Sequence, residues 1–360
     1  MQRLQNLRNK LLPDGPDGLL IGSSPNRRYL SGFRGSAGWL LITSSEAYLS
    51  VDFRYVEQAK QEAAGFEILH ISGDLPAWLP GLIAKLGISR LGIEADHVAY
   101  STYQTIVQLA KTAGPPFKLL PVKNMVESLR MVKDEDEIAA IEKACKIADD
   151  AIQGLAAHLE AGVSEKQVAW DLESLLRQQG SEALPFEIIV ASGPNAALPH
   201  AQPSERLISE GETVIIDFGA RYGGYCSDMT RTFMIGEQTE KFNTVYNIVL
   251  GAQMTALSVV EKRVSGRSAD ALARGMIENA GYGQFFGHGL GHGVGLETHE
   301  LPRIGTMSDD ILEENMVFTV EPGIYLPGWG GVRIEDTVTL TDGKLRTLTH
   351  ASKNAQVLGR

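Results

Sequence analysis

Four carboxylates and one histidine in the second half of the chain have the types and spacing of a metal-ion site: Asp217, Asp228, His292, Glu321 and Glu335. The first two lie in Thr213–Ile235, where apolar, β-rich flanks surround a Tyr-Gly-Gly turn and predict a β-hairpin. With Tyr222 and Gly223 as the loop, Ala220 pairs with Tyr225 and Phe218 with Ser227, and Asp217 falls directly opposite Asp228. Two bare carboxylates facing each other across a ladder repel. A divalent cation between them reverses that penalty.

The other three sit where side chains can reach a cavity. Glu321 ends the apolar run Met316–Val320 and precedes Pro322-Gly323, which must stop the strand or place it at an edge. Glu335 lies in Gly331–Val338, where alternation puts Arg333 and Glu335 on one face. Arg333, two residues before Glu335 on the same face, could orient it or bind a substrate carboxylate. His292 lies in Gly287–Gly295, whose glycines permit close backbone approach. Singly, each residue has an ordinary explanation as a local hydrogen-bond partner or turn residue. Together they form an oxygen-rich set suited to Mn, Co, Fe or Zn rather than to a thiolate-type structural zinc. Four negative charges balance two divalent ions, and two ions sharing a carboxylate would hold a bridging hydroxide as nucleophile at neutral pH.

The segments DFGARYGGYCSDMTRTF, GHGLGHGVGLETHELP, TVEPGIY and GGVRIED closely resemble the pita-bread metallopeptidases, in particular the prolidase and aminopeptidase P branch. NRRYLSGFRGSAG and VDFRY resemble the amino-terminal domain of that branch. The resemblance implies hydrolysis of the Xaa-Pro bond at the amino end of dipeptides or short peptides. It implies two divalent ions per chain, manganese before Co, Zn or Fe, held by Asp217, Asp228, His292, Glu321 and Glu335. Glu321 would also take the proton of the attacking water. His299 and His288 would stabilise the oxyanion or move protons, His200 would help close the pocket, and Arg333 matches a further site residue. A homodimer is implied too, with Asp52 and Arg54 near the substrate; Asp52 could instead simply cap the helix that follows it.

The elements that must position these groups can be read from periodicity. Strands are predicted at Gly18–Ile21, Trp39–Thr43, Ala47–Val51, Phe66–Ile71, Leu91–Glu94 and Phe117–Val122, with helices at Asp52–Ala63, Ala77–Leu86 and Thr102–Thr112. This describes an α/β domain with a mixed sheet over residues 1–122. A linker over 123–133 leads to an α+β catalytic domain over 134–360, of pita-bread type by the resemblance. Its helices are expected at Asp134–Leu159 and Glu165–Gln179, each opened at capping-box spacing, then at Thr239–Val260 and Ala269–Ala280. Two rounds of helix, helix and strands suggest an internal duplication, although no sequence repeat is detectable.

Composition excludes several classes. The net charge of −11 without a Lys/Arg block argues against nucleic-acid binding. No apolar stretch approaches the ~20 residues of a membrane span, and the first residues lack the apolar core of a secretory signal. Two cysteines make no disulfide framework. Cys226 could face the same way as Asp228, but the ligand set is complete without it, and Cys145 reads as a core residue. A cytoplasmic location is expected. The glycine-rich stretch contains no GxGxxG, and His299-Glu300 lacks the second histidine of HExxH, with Arg303 in its place.

Three other functions compete: a catalytically inactive binding module, a metal-free amidinohydrolase like creatinase, and a methionine-type aminopeptidase. The five ligand candidates argue against the first two. The additional domain and the GLETHELP context argue against the third. Between dipeptidase and aminopeptidase, the ELP after His299 leans towards the former without deciding it.

Overall fold

A computed structural model describes residues 2–11, 15–156, 159–353 and 357–358. The chain divides into two compact units, Met1–Arg130 and Met131–Arg360.

The first unit contains a six-stranded sheet: β1 (Gly18–Ile21), β2 (Trp39–Thr43), β3 (Ala47–Val51), β4 (Glu67–His70), β5 (Arg90–Glu94) and β6 (Lys118–Val122). Their order is β4-β3-β2-β1-β5-β6. The β1–β2 and β2–β3 pairs are antiparallel and the rest parallel, so the sheet is mixed. Helix Ser24–Ser31 is additional to the elements expected from periodicity. Its start is set by the buried Glu94, which accepts from the backbone N–H of Gly22 and Ser23 at 2.8 and 2.9 Å. The unit runs past Val122 through helix Glu127–Arg130, whose Arg130 donates to Asn26 Oδ1 at 2.8 Å. Asp52 does not open its helix, which begins a turn later at Val56; its carboxylate instead takes the Arg54 guanidinium at 3.0 and 2.7 Å.

The second unit has a two-fold plan. Helix Glu135–Ala156 opens with a reciprocal capping box, Asp134 and Glu137 each accepting from the other's N–H at 3.0 and 2.9 Å. Residues 157 and 158, inside the expected helix Asp134–Leu159, lie outside the described residues. Helix Glu165–Gln178 follows, with Ser164 capping Gln167 N. Both bury their apolar faces against β7 (Ile189–Ser192), β8 (Thr213–Phe218) and, beyond the short pair β9 (Arg221–Tyr222) and β10 (Tyr225–Cys226), β11 (Met229–Ile235). The second round has helices Glu240–Val259 and Gly266–Asn279. Its strands are β12 (Gly291–Gly293), β13 (Glu300–Ile304), β14 (Val317–Val320), β15 (Gly323–Leu326), β16 (Gly330–Arg333), β17 (Asp336–Thr341) and β18 (Lys344–Thr347), around a core of their own.

The duplication is visible in single hydrogen bonds. Gly162 N and Ile208 N bond to Ile208 O and Val163 O; Arg263 N and Leu312 N bond to Leu312 O and Val264 O. Glu165 N and Lys166 N reach Arg206 O and Ser204 O, as Gly266 N and Arg267 N reach Asp310 O and Ser308 O. Continued along the chain, the correspondence sets β8 against β14 and β11 against β17. Asp217 then matches Glu321, and Asp228 and Glu335 each immediately precede the partner strand of their half, although the ladder register sets Thr230, not Asp228, against Glu335.

Two details of register differ from the expectations. The hairpin loop is Gly223-Gly224, with φ of 57° and 82°, and not Tyr222-Gly223. A two-residue loop of this hand needs positive φ at both positions, which glycine supplies without a Cβ clash. Asp217 is therefore opposite Thr230, not Asp228. The shift is two residues, so by strand alternation Asp228 keeps to the face of Asp217. The expected strand Gly331–Val338 is also broken. Arg333 ends β16, paired with β15, and Asp336 starts β17, paired with β14; between them Glu335 N bonds to Thr230 O.

β12 positions His292 between two glycines with no room for a side chain. A Cβ on Gly291 would lie 2.0 Å from Thr319 O, and one on Gly293 2.1 Å from Leu301 O. Gly291→Ala must force β12 from β14. It is expected to lower stability in urea melts by about 1–3 kcal/mol and to weaken divalent-ion binding by calorimetry. Wild-type values for both would show that the strands do not constrain His292.

Candidate functional site

A cavity of about 380 Å³ in the second unit is lined by nine of the residues singled out from the sequence: His200, Asp217, Asp228, His288, His292, His299, Glu321, Arg333 and Glu335. The strand ends deliver them. Asp217 is the second-last residue of β8, Asp228 immediately precedes β11, Glu321 follows β14, and Glu335 precedes β17. The donor atoms of Asp228, His292 and Glu335 all lie within 4.8 Å of one another, close enough for one ion. Glu321 borders this group through a 3.3 Å contact from its Oε1 to His292 Nε2, which is 3.6 Å from Asp228 Oδ2. Asp217 lies outside that group of three and is held by Arg333, Nη2 to Oδ2, at 2.6 Å.

Arg333 is the hub of the cavity wall. It is buried, and its Nε donates to Thr230 Oγ1 at 3.0 Å and its Nη1 to Tyr325 Oη at 2.8 Å. A longer bond runs from Nη1 to Pro199 O at 3.3 Å. The carboxylate that Arg333 orients directly is Asp217, through Nη2 alone; its link to Glu335, the carboxylate expected from the sequence, runs through Thr230. Thr230 passes the order on, donating to Glu335 Oε2 at 2.6 Å.

The histidine tautomers follow from their partners. His288 Nδ1 faces its neighbour's carbonyl, Gly289 O, at 2.8 Å and so carries the proton; Nε2, 2.9 Å from Tyr325 Oη, accepts. Burial pushes its pKa down, so the ring is neutral near pH 7. His292 Nδ1 likewise faces Gly293 O at 3.2 Å, leaving Nε2 turned to the carboxylates. His299 stacks on His292 with ring centroids 4.0 Å apart. Partial burial, with the His292 charge second, pushes His299 down to about 4. His200 sits at the exposed rim.

The donor set fits divalent cations on three observations. Burial, followed by repulsion from Glu335 and Asp217, drives the Asp228 carboxyl well above its usual range. Burial, followed by Glu321 and Asp217, does the same to Glu335. Asp217 Oδ1 is buried with no hydrogen-bond partner. Such an oxygen is destabilising unless a cation or donor reaches it.

Phe186, Ile189, Pro199, Thr298 and Tyr325 also line the cavity and were not singled out beforehand. Tyr325 was within reach, in the motif TVEPGIY; Phe186 carries no local signal. Cys226 is not among the lining residues: it is packed with Cys145, Ile141 and Val294 in an apolar cluster. Asp52 and Arg54 belong to the first unit.

Residues 139–342 match metallopeptidase family M24, and residues 3–132 match the creatinase/prolidase N-terminal domain. Over 340 residues the chain is 40% identical to a Xaa-Pro dipeptidase of Pyrococcus horikoshii, covering 94% of this chain and 93% of that one. Among solved structures, the Xaa-Pro dipeptidase from Bacillus anthracis is similar with a TM-score of 0.96 at 42% identity, covering 99% of each chain. The X-Pro aminopeptidase from Thermotoga maritima gives 0.89 at 39%, covering 98% of this chain and 99% of that one. With strand ends that gather four carboxylates around one histidine, and with matches across both units, the chain belongs to metallopeptidase family M24 and is a peptidase of the pita-bread fold.

Proposed function

We propose that this protein hydrolyses the bond between an amino-terminal residue and a following proline, in dipeptides or short peptides. Two divalent cations, manganese foremost and Co, Zn or Fe as alternatives, are assigned to Asp217, Asp228, His292, Glu321 and Glu335. The observation that carries this reading is the cavity itself, where four carboxylates converge on His292 and Asp217 Oδ1 has no protein partner. When bound, such ions supply Lewis acidity and a water-derived nucleophile at neutral pH. The similarity to a Xaa-Pro dipeptidase and an X-Pro aminopeptidase supports proline as the second residue.

Side chains of the cavity then divide the work. Glu321, which burial alone would raise but which the His292 hydrogen bond together with the charges of His292, His288 and Arg333 holds to about 2, is ionised at neutral pH and takes the proton of the attacking water. His299, neutral and at the cavity mouth, donates to the developing oxyanion or passes a proton to the leaving nitrogen. His288, locked between Gly289 O and Tyr325 Oη, is the second neutral imidazole. Arg333 acts through Asp217 and Thr230. Phe186, Ile189 and Pro199 offer apolar surface for a pyrrolidine ring. No helix among the described residues is long and apolar enough to cross a membrane. Both cysteines are free and buried, which supports a cytoplasmic site of action. The homodimer implied by the resemblance is adopted as part of this reading.

Metal binding should be coupled to pH. In the metal-free protein the raised carboxyls of Asp228 and Glu335 favour folding fully below their unfolded values of about 3.9 and 4.3. That contribution is lost as pH rises through their raised folded values. Glu321, depressed, acts oppositely, but its window lies below about 4. Ions displace those protons, so stabilisation by metal should grow with pH. The rise in Tm from chelated to manganese-loaded protein is expected to be larger at pH 8 than at pH 5.5. An equal or smaller rise at pH 8 would count against these carboxyls as ligands.

His299→Ala and His288→Ala are each expected to lower kcat by ~10²–10⁴-fold while keeping full metal content. A variant with near-normal kcat would remove that histidine from the chemistry.

Selectivity is the third expectation. Proline has no N–H for a peptidase to bind, so a site that packs its ring instead can prefer it. Met-Pro-Ala should exceed Met-Ala-Ala at least ~10-fold in kcat/KM, which needs about 1.4 kcal/mol of differential transition-state binding. Met-Pro assayed beside them separates the two subclasses. Equal rates on the tripeptides would point to a methionine-type aminopeptidase, and cleavage of Met-Pro alone to a strict dipeptidase.

A further inference from the structure

The loop that brings Pro199 and His200 to the cavity is tied down at both ends by one carboxylate. Glu165 opens helix Glu165–Gln178 and is fully buried. Its Oε1 accepts from Ser192 N and Ser192 Oγ, both at 2.7 Å. Its Oε2 accepts from Ser204 N at 3.1 Å and Ser204 Oγ at 2.6 Å. Asn195 Nδ2, inside the loop, lies 3.1 Å from each oxygen. Ser192 ends β7 and Ser204 ends the loop, so one side chain closes the span between them.

The duplicated second half shows that the architecture does not require this carboxylate. There the corresponding residue is Gly266, which opens its helix with the same backbone bonds. A Cβ on Gly266 would lie 2.3 Å from Arg303 O, so that half builds the module with no side chain at this point. In the first half, the loop so fixed places Pro199 O on Arg333 Nη1 and His200 at the cavity rim.

We propose that Glu165 is a positioning residue for the reaction: it fixes loop 193–203 so that His200 meets the substrate. This rests on the reading of His200 as a substrate-contacting group. A displacement of about 1 Å at a reacting centre can lower rates ~10²-fold. Glu165→Gln is therefore expected to lower kcat/KM for Met-Pro-Ala by ~10²-fold, with full metal content. Ser204→Ala, which removes one anchor and spares the carboxylate, should lower it by ~10-fold. Amide exchange in residues 193–203 should accelerate in both variants, and that in helix Gly266–Asn279 should not.

The decisive comparison is His200→Ala with and without Glu165→Gln. If Glu165 works through His200, the double variant stays within about twofold of His200→Ala alone. Losses that multiply would overturn the proposal and leave the role of His200 intact. Wild-type kcat/KM in Glu165→Gln would overturn it too. Wild-type kcat/KM in His200→Ala would overturn the reading of His200 and the proposal together. If Glu165→Gln fails to fold, Ser204→Ala with His200→Ala gives the same comparison.

Discussion

The repulsion among four carboxylates in one cavity is the constraint on which the second unit is organised. Two unit charges about 4 Å apart at an intermediate dielectric repel by on the order of 4 kcal/mol. Left alone, such a group would take up protons, as the raised carboxyls of Asp228 and Glu335 already indicate. The protein does not relieve the strain by spreading the residues apart. It sets them at four strand ends and surrounds them with a cation, Arg333, and a hydroxyl, Thr230, that fix their directions. What remains unsatisfied, such as Asp217 Oδ1, is excess negative charge of the kind a divalent cation would neutralise. The high cost of the crowded carboxylates and the site's fit to a divalent cation are two descriptions of one arrangement.

Duplication explains why the set has four carboxylates and one histidine. Each half contributes one acidic residue at the end of one strand, β8 or β14, and one just before the strand paired with it, β11 or β17. The histidine has no twin. Gly293 pairs with Phe318 as Ser192 pairs with Val214, so the place of His292 is taken in the first half by Ala191. The carboxylates follow the symmetry of the fold; the histidine breaks it and gives the cavity a chemical direction.

How much of this was legible in the sequence depended on how local the cause was. Helix starts at Asp134, Ser164 and Thr239 could be read because a cap is three residues long. The nine candidate residues converge on one cavity because strand ends before Pro322, or beside a glycine turn, are also local statements. The register of the hairpin was misplaced by two residues. The order Tyr-Gly-Gly allows either loop until both positive-φ positions are weighed, and only Gly223-Gly224 satisfies them. The break after Arg333 was illegible: the chain leaves one strand pair there for another, and the Thr230 carbonyl that captures Glu335 N is over 100 residues distant. The Arg333–Tyr325–His288 chain and the Glu165 anchor depend on equally remote partners.

The same comparison separates residues that build the fold from residues that adapt it to catalysis. A feature present in both halves, such as the helix cap at Ser164 and Ser265, serves the module. A feature present in one half must be explained by what that half alone does. Loop 193–203 and the segment from Val294 to Met307 occupy corresponding places, and they carry His200 and His299. Their supports are unrelated: Glu165 gathers Ser192 and Ser204, whereas Glu300 is paired with the buried Lys133. Buried charged groups are stable only where every partner is placed for them. Two different buried acids under two corresponding loops therefore mark where the two halves diverge to bring two histidines to the mouth of one cavity.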